Sequence, residues 1–190
     1  MSIPYLVLKN FLGTRDNQSA LDCIKKLEPK LTTSTYNENG VENINLDIKK
    51  NKNLWLNKVD DNELQLHEYL ARYLFNKRLL EVLENYPNLL HTNNYSTRPY
   101  STLLSRYDPD DFYDWHTDLD GFVSWSYVCY NDTVEGGEFV LSDATVDQER
   151  KNITSIPCTN DTLIIFPAGY QHKVEKVASG SRYSLQLFFK

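Results

Sequence analysis

No apolar run in this sequence approaches the roughly 20 residues that a bilayer-spanning helix needs. The first ten residues, Met1 to Asn10, lack a basic start and a small-residue cleavage site, so they do not read as a signal peptide. The expectation is an intracellular, cytoplasmic chain with no membrane role. In that setting the Asn-x-Ser/Thr triplets at Asn17, Asn94, Asn131, Asn152 and Asn160 carry no glycan. Cysteine is scarce and odd in number: Cys23, Cys129 and Cys158 form no metal-type pair, and Cys129 falls in an apolar strand pattern that suits a reduced, buried thiol. Basic residues are outnumbered, 20 against 26 acidic, for a net charge of -6. That balance argues against the broad basic face of a nucleic-acid binder. Internal repeats, low-complexity segments and a linker good enough to divide the chain are all missing.

What is present is 190 residues with ordinary apolar content, enough for one well-formed core. The first half reads as support. Tyr5 to Leu8 is a short strand, and Ala20, Leu21, Ile24 and Leu27 recur at helical spacing behind Asp16 or Asn17 as cap, with the end forced near Glu28 by Pro29. Ile44, Leu46 and Ile48 alternate with polar residues and predict a strand with one buried face. Asp60 and Glu63 open a second helix with Leu66, Leu70, Tyr73 and Leu74 as its stripe, running toward Tyr86 before Pro87. His67 beside that stripe and His91 in the following polar loop are given no site role.

From Tyr100 the texture changes to short strands with turn signals, at about 101–107, 112–116, 122–130, 137–141, 151–156, 162–166, 170–177 and 182–189. Eight such strands suit a jelly roll, two facing sheets enclosing a pocket. The fold class expected is therefore α+β: a jelly roll, or double-stranded β-helix, with N-terminal helices packed on one sheet. Residues 1–190 form one domain, with 1–99 as support and 100–190 as core.

Chemistry concentrates in Trp115-His116-Thr117-Asp118. On a strand, residues two apart share a face, so His116 and Asp118 can offer an imidazole and a carboxylate to one point. His172 is the best candidate for a third ligand. Two imidazoles and one carboxylate on one octahedral face leave three positions open, an arrangement suited to non-haem Fe(II) oxygen chemistry. Asp108, Asp110, Asp111, Asp114 and Asp120 crowd around Asp118, either as a solvated loop or as an acidic rim that attracts basic peptides. The mouth of the pocket is expected between the segments 88–100 and 119–125.

Tyr107, His116-x-Asp118, Gly136-Gly137-Glu138, His172 and Arg182-x-Ser184, in that order, resemble the Fe(II)- and 2-oxoglutarate-dependent dioxygenases. Within them, the prolyl 4-hydroxylase-like branch with its PKHD-type members is the nearest in pattern. The resemblance implies Fe(II) on His116, Asp118 and His172, with 2-oxoglutarate as cosubstrate and O2 as oxidant, and it admits ascorbate as a reductant. It implies that Arg182, ten residues after His172, grips the far carboxylate of 2-oxoglutarate, with Ser184 on the same strand face and Tyr107 adding a hydroxyl. Phe188 stands where prolyl hydroxylases tend to have a substrate-facing tryptophan, and Trp125 and Tyr127 are further substrate-pocket candidates. The activity implied is hydroxylation of an amino-acid side chain, a prolyl residue in a protein or peptide first, with release of succinate and CO2. A small-molecule or free amino-acid substrate and a non-catalytic metal-binding jelly roll are the alternatives. The oligomeric state is not legible.

Overall fold

In the computed structural model of the chain, residues 5–38, 41–56, 101–118, 123–129, 133–145 and 148–189 are described. The chain begins with strand β1 (Leu6–Lys9), helix α1 (Thr14–Leu27) and a 3-10 turn (Glu28–Lys30). The buried stripe of α1 is Ala20, Leu21, Ile24 and Leu27, and Lys25 and Lys26 in its last turn complement the helix dipole. Its capping differs from expectation. The helix starts one turn earlier, behind Gly13, and Asp16 and Asn17 lie inside its first turn. The carboxylate at its start comes from far along the chain: Asp161 accepts the Leu12 and Gly13 amides, each at 2.8 Å.

Five short strands follow: β2 (Thr32–Thr33), β3 (Tyr36–Glu38), β4 (Val41–Asn43), β5 (Lys49–Lys50) and β6 (Lys52–Trp55). The strand expected from Ile44, Leu46 and Ile48 is not formed. Ile44 is 63% and Leu46 52% exposed, and Asn45 turns the chain by accepting the Asp47 amide on its own side chain and the Ile48 and Lys49 amides on its carbonyl. Local Asn hydrogen bonding outcompetes the alternation. The buried residue of this stretch is Lys49, at 6% exposure. The expected second helix, with His67, and the loop with His91 lie outside the described residues.

The second half supplies β7 (Ser101–Tyr107), β8 (Phe112–His116), β9 (Val123–Cys129), β10 (Glu135–Gly136), β11 (Phe139–Ser142), β12 (Ile153–Ile156), β13 (Thr162–Pro167), β14 (His172–Val174), β15 (Val177–Ser179) and β16 (Arg182–Phe189). The strand expected at 170–177 is thus two strands, β14 and β15, and β10 is an addition that pairs with β15. A seven-stranded sheet runs β1-β13-β9-β16-β7-β6-β2, and a five-stranded sheet runs β12-β11-β14-β8-β5. Every pairing between described strands is antiparallel. This is the expected α+β, jelly-roll-like arrangement, with one described N-terminal helix. Among the described residues no helix is long and apolar enough to cross a membrane.

Strand alternation divides the large sheet's two faces. Leu104 of β7, Tyr127 of β9, Leu163 and Ile165 of β13, and Tyr183, Leu185 and Leu187 of β16 pack in one cluster with the α1 stripe. The opposite parity supplies Tyr107, Ile164 and Phe166 to a second cluster, shared with Phe139, Leu141 and Val174 of the smaller sheet. The functional residues sit within this second layer.

A buried polar knot locks α1 onto the sheet. The Tyr127 hydroxyl shares its one proton between Asn17 Oδ1 (2.6 Å) and Asp161 Oδ1 (3.0 Å), so Asp161 faces three donors. Asp161→Ala strands those donors and should cost on the order of 3 kcal/mol of unfolding free energy, measured by urea denaturation. Asp161→Asn, which keeps one acceptor oxygen, should cost clearly less.

Candidate active site

The donor triad rests on the pairing of β8 and β14. His116 and His172 are cross-strand partners, and their ring centroids lie 4.1 Å apart. Asp118 follows the end of β8, where its amide donates to the Ala168 carbonyl at 3.0 Å and thereby turns its carboxylate toward His172. Asp118 Oδ2 lies 3.6 Å from His172 Nε2. One donor atom from each of His116, Asp118 and His172 falls within 4.8 Å of the other two, as the sequence pattern required.

Backbone carbonyls orient both rings. His116 Nδ1 lies 2.8 Å from the Asp114 carbonyl, and His172 Nδ1 lies 3.0 Å from the Tyr170 carbonyl. A carbonyl only accepts, so each Nδ1 carries a proton and Nε2 is the nitrogen of each ring positioned to ligate. His172 Nε2 is buried and has no hydrogen-bond partner. Burial, followed by the neighbouring His172, holds the His116 pKa well below the usual imidazole range, so that ring is neutral at pH 7. Neutral imidazoles and a carboxylate are the donor set a divalent metal takes, and the orphaned Nε2 is the atom that would meet it. Tyr113 stacks on His116 (3.5 Å, 14°), while Phe139 and Phe166 pack against His172.

A cleft of about 400 Å³, counted out to its open mouth, extends from the triad between the sheets. The large sheet lines it with Leu103, Ser105 and Tyr107 of β7, Ser126 of β9, and Ser184, Gln186 and Phe188 of β16. Phe188 is braced by Trp55 at 5.9 Å. Arg182 shares this strand face but lies behind the lining. Its guanidinium sits 5.0 Å from the Tyr107 ring centroid, one Nη donates to the Gly137 carbonyl (3.1 Å), and its buried Nε has no partner. Gly137, at φ +68°, makes room for it, because a Cβ there would come within 3.0 Å of Arg182 Cδ. Burial pushes the Tyr107 hydroxyl up to about 12, so it remains a donor.

Some expectations are corrected. Tyr127 has the wrong parity for the cleft: Ser126 faces it, and Tyr127 is spent in the knot beneath α1. The side chain of Trp125 and the segments 88–100 and 119–122 lie outside the described residues. Two of the acidic residues around the metal strand, Asp108 and Asp111, are already paired. Asp108 accepts from Arg106 Nε (2.8 Å) and Ser181 Oγ (2.6 Å), and Asp111 accepts the Asp108 amide (3.0 Å) and faces Lys50 (3.6 Å). Trp115 is occupied by the cations of Arg150 (4.6 Å) and Lys173 (5.2 Å) and does not line the cleft.

Lys49, Tyr113, Ser105, Ser126 and Gln186 line the cleft without having been singled out from the sequence. Gln186 was within reach of alternation, since it lies between Ser184 and Phe188 on one strand face. Lys49 carried no signal. It arrives from β5 at the edge of the smaller sheet and places Nζ 4.4 Å from the Tyr113 ring centroid. Desolvation lowers its pKa to about 8, against the opposing pull of Asp118.

Two outcomes follow from these groups. His172→Ala or Asp118→Ala should abolish tight Mn(II) binding in calorimetry, with circular dichroism confirming that each variant is folded. Lys49 releases its proton near pH 8 when folded and near 10.5 when unfolded. The unfolded chain therefore holds the extra proton between those values, and stability gains as pH rises through that window. Lys49→Met should lose that gain relative to wild type in denaturation curves taken at pH 7 and pH 10.

Comparison with known proteins agrees with this geometry. Residues 102–190 match the family model described as the 2OG-Fe(II) oxygenase superfamily. No curated protein sequence matches the chain. Solved structures share the fold at low identity. A Trichoplax adhaerens prolyl hydroxylase in complex with a hypoxia inducible factor peptide fragment is 18% identical, with TM-score 0.70 over 97% of this chain and 82% of that one. A Pseudomonas putida prolyl-4-hydroxylase is 16% identical, with TM-score 0.64 over 100% and 93%. A non-haem alpha-ketoglutarate dependent carbocyclase from nogalamycin biosynthesis is 12% identical, with TM-score 0.68 over 98% and 79%. The family match covers residues 102–190, the stretch that carries the whole donor triad, and the fold is shared with prolyl 4-hydroxylase-like structures; that stretch matches the 2OG-Fe(II) oxygenase superfamily and supports an oxygenase enzyme that uses Fe(II), 2-oxoglutarate and O2.

Proposed function

We propose that this oxygenase hydroxylates a carbon of an amino-acid side chain, a prolyl residue in a peptide or protein first. The observation that carries the reading is one cleft with His116, Asp118 and His172 at its base and the apolar ring of Phe188 on its wall. In this assignment the triad holds Fe(II) through both Nε2 atoms and the Asp118 carboxylate. Arg182 supplies the charge for the far carboxylate of 2-oxoglutarate through its unused Nε, and Ser184 and Tyr107 add hydroxyl donors. Bound together, Fe(II), 2-oxoglutarate and O2 supply the oxidising chemistry, with succinate and CO2 released. The protein's own part is positioning and exclusion. Leu103, Phe139, Val174 and Phe188 keep the cleft apolar between its polar groups, and the carbonyls of Asp114 and Tyr170 hold the rings in the ligating tautomer.

A peptide substrate has support in the structural likeness to a prolyl hydroxylase solved with a bound peptide fragment. A small-molecule substrate has support of its own in the likeness to the carbocyclase. A proline-scanned peptide panel assayed beside free amino acids separates the two, read as a mass gain of one oxygen atom. Turnover of free amino acids with every peptide inert would replace the first reading by the second.

The cosubstrate assignment has its own check. Arg182→Lys keeps the charge and loses the planar fork, so the KM for 2-oxoglutarate should rise about tenfold or more while the KM for substrate changes little. An unchanged KM for 2-oxoglutarate in a folded variant would move the anchor off Arg182.

A further inference from the structure

Among the described residues lining the cleft, Asp118 is the sole acid and Lys49 the sole lysine or arginine. Lys49 is 6% exposed, so its ammonium has given up most of its water. Protein groups replace that water only in part. Nζ donates to the Thr35 carbonyl at 3.0 Å, and, with the Asn53 amide oriented by its neighbours, to Asn53 Oδ1 at 3.1 Å. The same Asn53 amide donates to Ser105 Oγ at 2.9 Å, which ties the lysine to the opposite wall of the cleft. An ammonium has three N–H groups, so beyond these two oxygen acceptors the third has the Tyr113 ring, at 4.4 Å from Nζ to its centroid, a weaker partner than an anion in the cleft.

Charge balance says what that filler carries. The oxygenase reading above brings to this cleft a divalent ion, the Asp118 carboxylate and doubly charged 2-oxoglutarate, with the Arg182 guanidinium behind the lining, and these charges cancel. Lys49 leaves one positive charge unmatched in a water-poor site, where an unpaired charge is costly. Gln186 adds an independent observation. It lines the same cleft, and its buried Oε1 has no hydrogen-bond partner. A buried amide oxygen without a donor is an unmet demand for an N–H or O–H.

We propose that Lys49 and Gln186 form a substrate subsite that holds a carboxylate on Lys49 Nζ and an N–H on Gln186 Oε1. The substrate class this selects is an amino-acid unit with a free carboxylate close to the hydroxylated carbon. That carboxylate is the α-carboxylate of a free amino acid, the C-terminus of a peptide, or an acidic side chain beside the target residue. Preference runs to acidic substrates, opposite to what an Asp-rich rim alone would select, because Asp108 and Asp111 are already paired while Lys49 is not balanced. The assignment rests on the oxygenase reading and refines its substrate.

The test is calorimetric binding to the anaerobic holoenzyme with Fe(II) and 2-oxoglutarate at pH 7. Three probe pairs, each carrying an N–H, differ only in carboxylate against amide: L-proline with L-prolinamide, N-acetyl-Gly-Pro with its C-terminal amide, and capped Gly-Pro-Asp-Gly with capped Gly-Pro-Asn-Gly. In at least one pair the carboxylate member should bind at least about tenfold tighter, and that pair names the source of the carboxylate. Lys49→Arg should keep the preference and Lys49→Met should lose it, with affinity for 2-oxoglutarate within about threefold of wild type in both. The proposal is overturned if wild type shows no preference in any pair, including the case where no probe binds. It is equally overturned if Lys49→Met keeps the preference or loses 2-oxoglutarate instead. The wild-type comparison stands even where a variant fails to fold. Admitting O2 afterwards separates the two readings. A carboxylate preference with no oxygen gained on any probe would sink the prolyl reading and leave the subsite standing. Oxygen gained without a preference would do the reverse.

Discussion

The two-residue period of β16 is the constraint on which the rest of the molecule depends. Tyr183, Leu185 and Leu187 point toward α1 and join the apolar cluster beneath it, while Ser184, Gln186 and Phe188 point into the cleft and Arg182 lies behind its lining. Shifting the register by one residue would bury a guanidinium under the helix and expose the core to the site. Two flanking strands hold that register. β7 pairs along the strand from Arg182↔Tyr107 to Phe188↔Ser101, and β9 pairs from Tyr183↔Cys129 to Phe189↔Val123. Core stability and site geometry are therefore one property here. The polar knot of Asn17, Tyr127 and Asp161 reinforces it from the helix side.

The smaller sheet contributes precision through backbone groups. Its antiparallel pairing sets His116 opposite His172, and carbonyls two residues earlier in the chain, those of Asp114 and Tyr170, fix both ring tautomers. Repetition of the same device at both histidines removes rotational freedom from the donor set before any ion arrives. A ligand set held this way loses little entropy on binding. The buried cations follow a different logic. Arg182 is packed on Tyr107 with one bond to the Gly137 carbonyl, and Lys49 is packed on Tyr113 with bonds to Thr35 and Asn53. Each has an aromatic face and neutral acceptors in place of a carboxylate, which leaves the cleft positively poised toward anionic groups.

Much of this was legible along the chain. Strands 101–107, 112–116 and 182–189 coincide with β7, β8 and β16, since strand-type residues bounded by turn signals mark them locally. His116, Asp118 and His172 were legible as a set because residues two apart share a strand face and because an ordered motif followed. Tyr127 was misassigned for want of parity: alternation says that Ser126 and Tyr127 face opposite ways, and only the packing of α1 says which way is out. The Ile44–Ile48 stretch misled because Asn45 satisfies the local backbone by itself.

The sequence by itself determined the periodicities, the turn chemistry at Asn45 and Pro29, and the presence of donor residues at strand spacing. These are short-range properties, written in neighbours within a few positions. Tertiary structure alone decided where long-range partners meet. It brought Asp161 to the start of α1, 149 residues away in the chain for the Leu12 bond, and Gly137 beneath Arg182. It also carried Lys49 from an Asn- and Lys-rich stretch of no apparent chemistry into the cleft beside Tyr113. A charged residue on a two-residue edge strand has no periodic pattern to betray its burial. Its environment is made by the sheets that close around it.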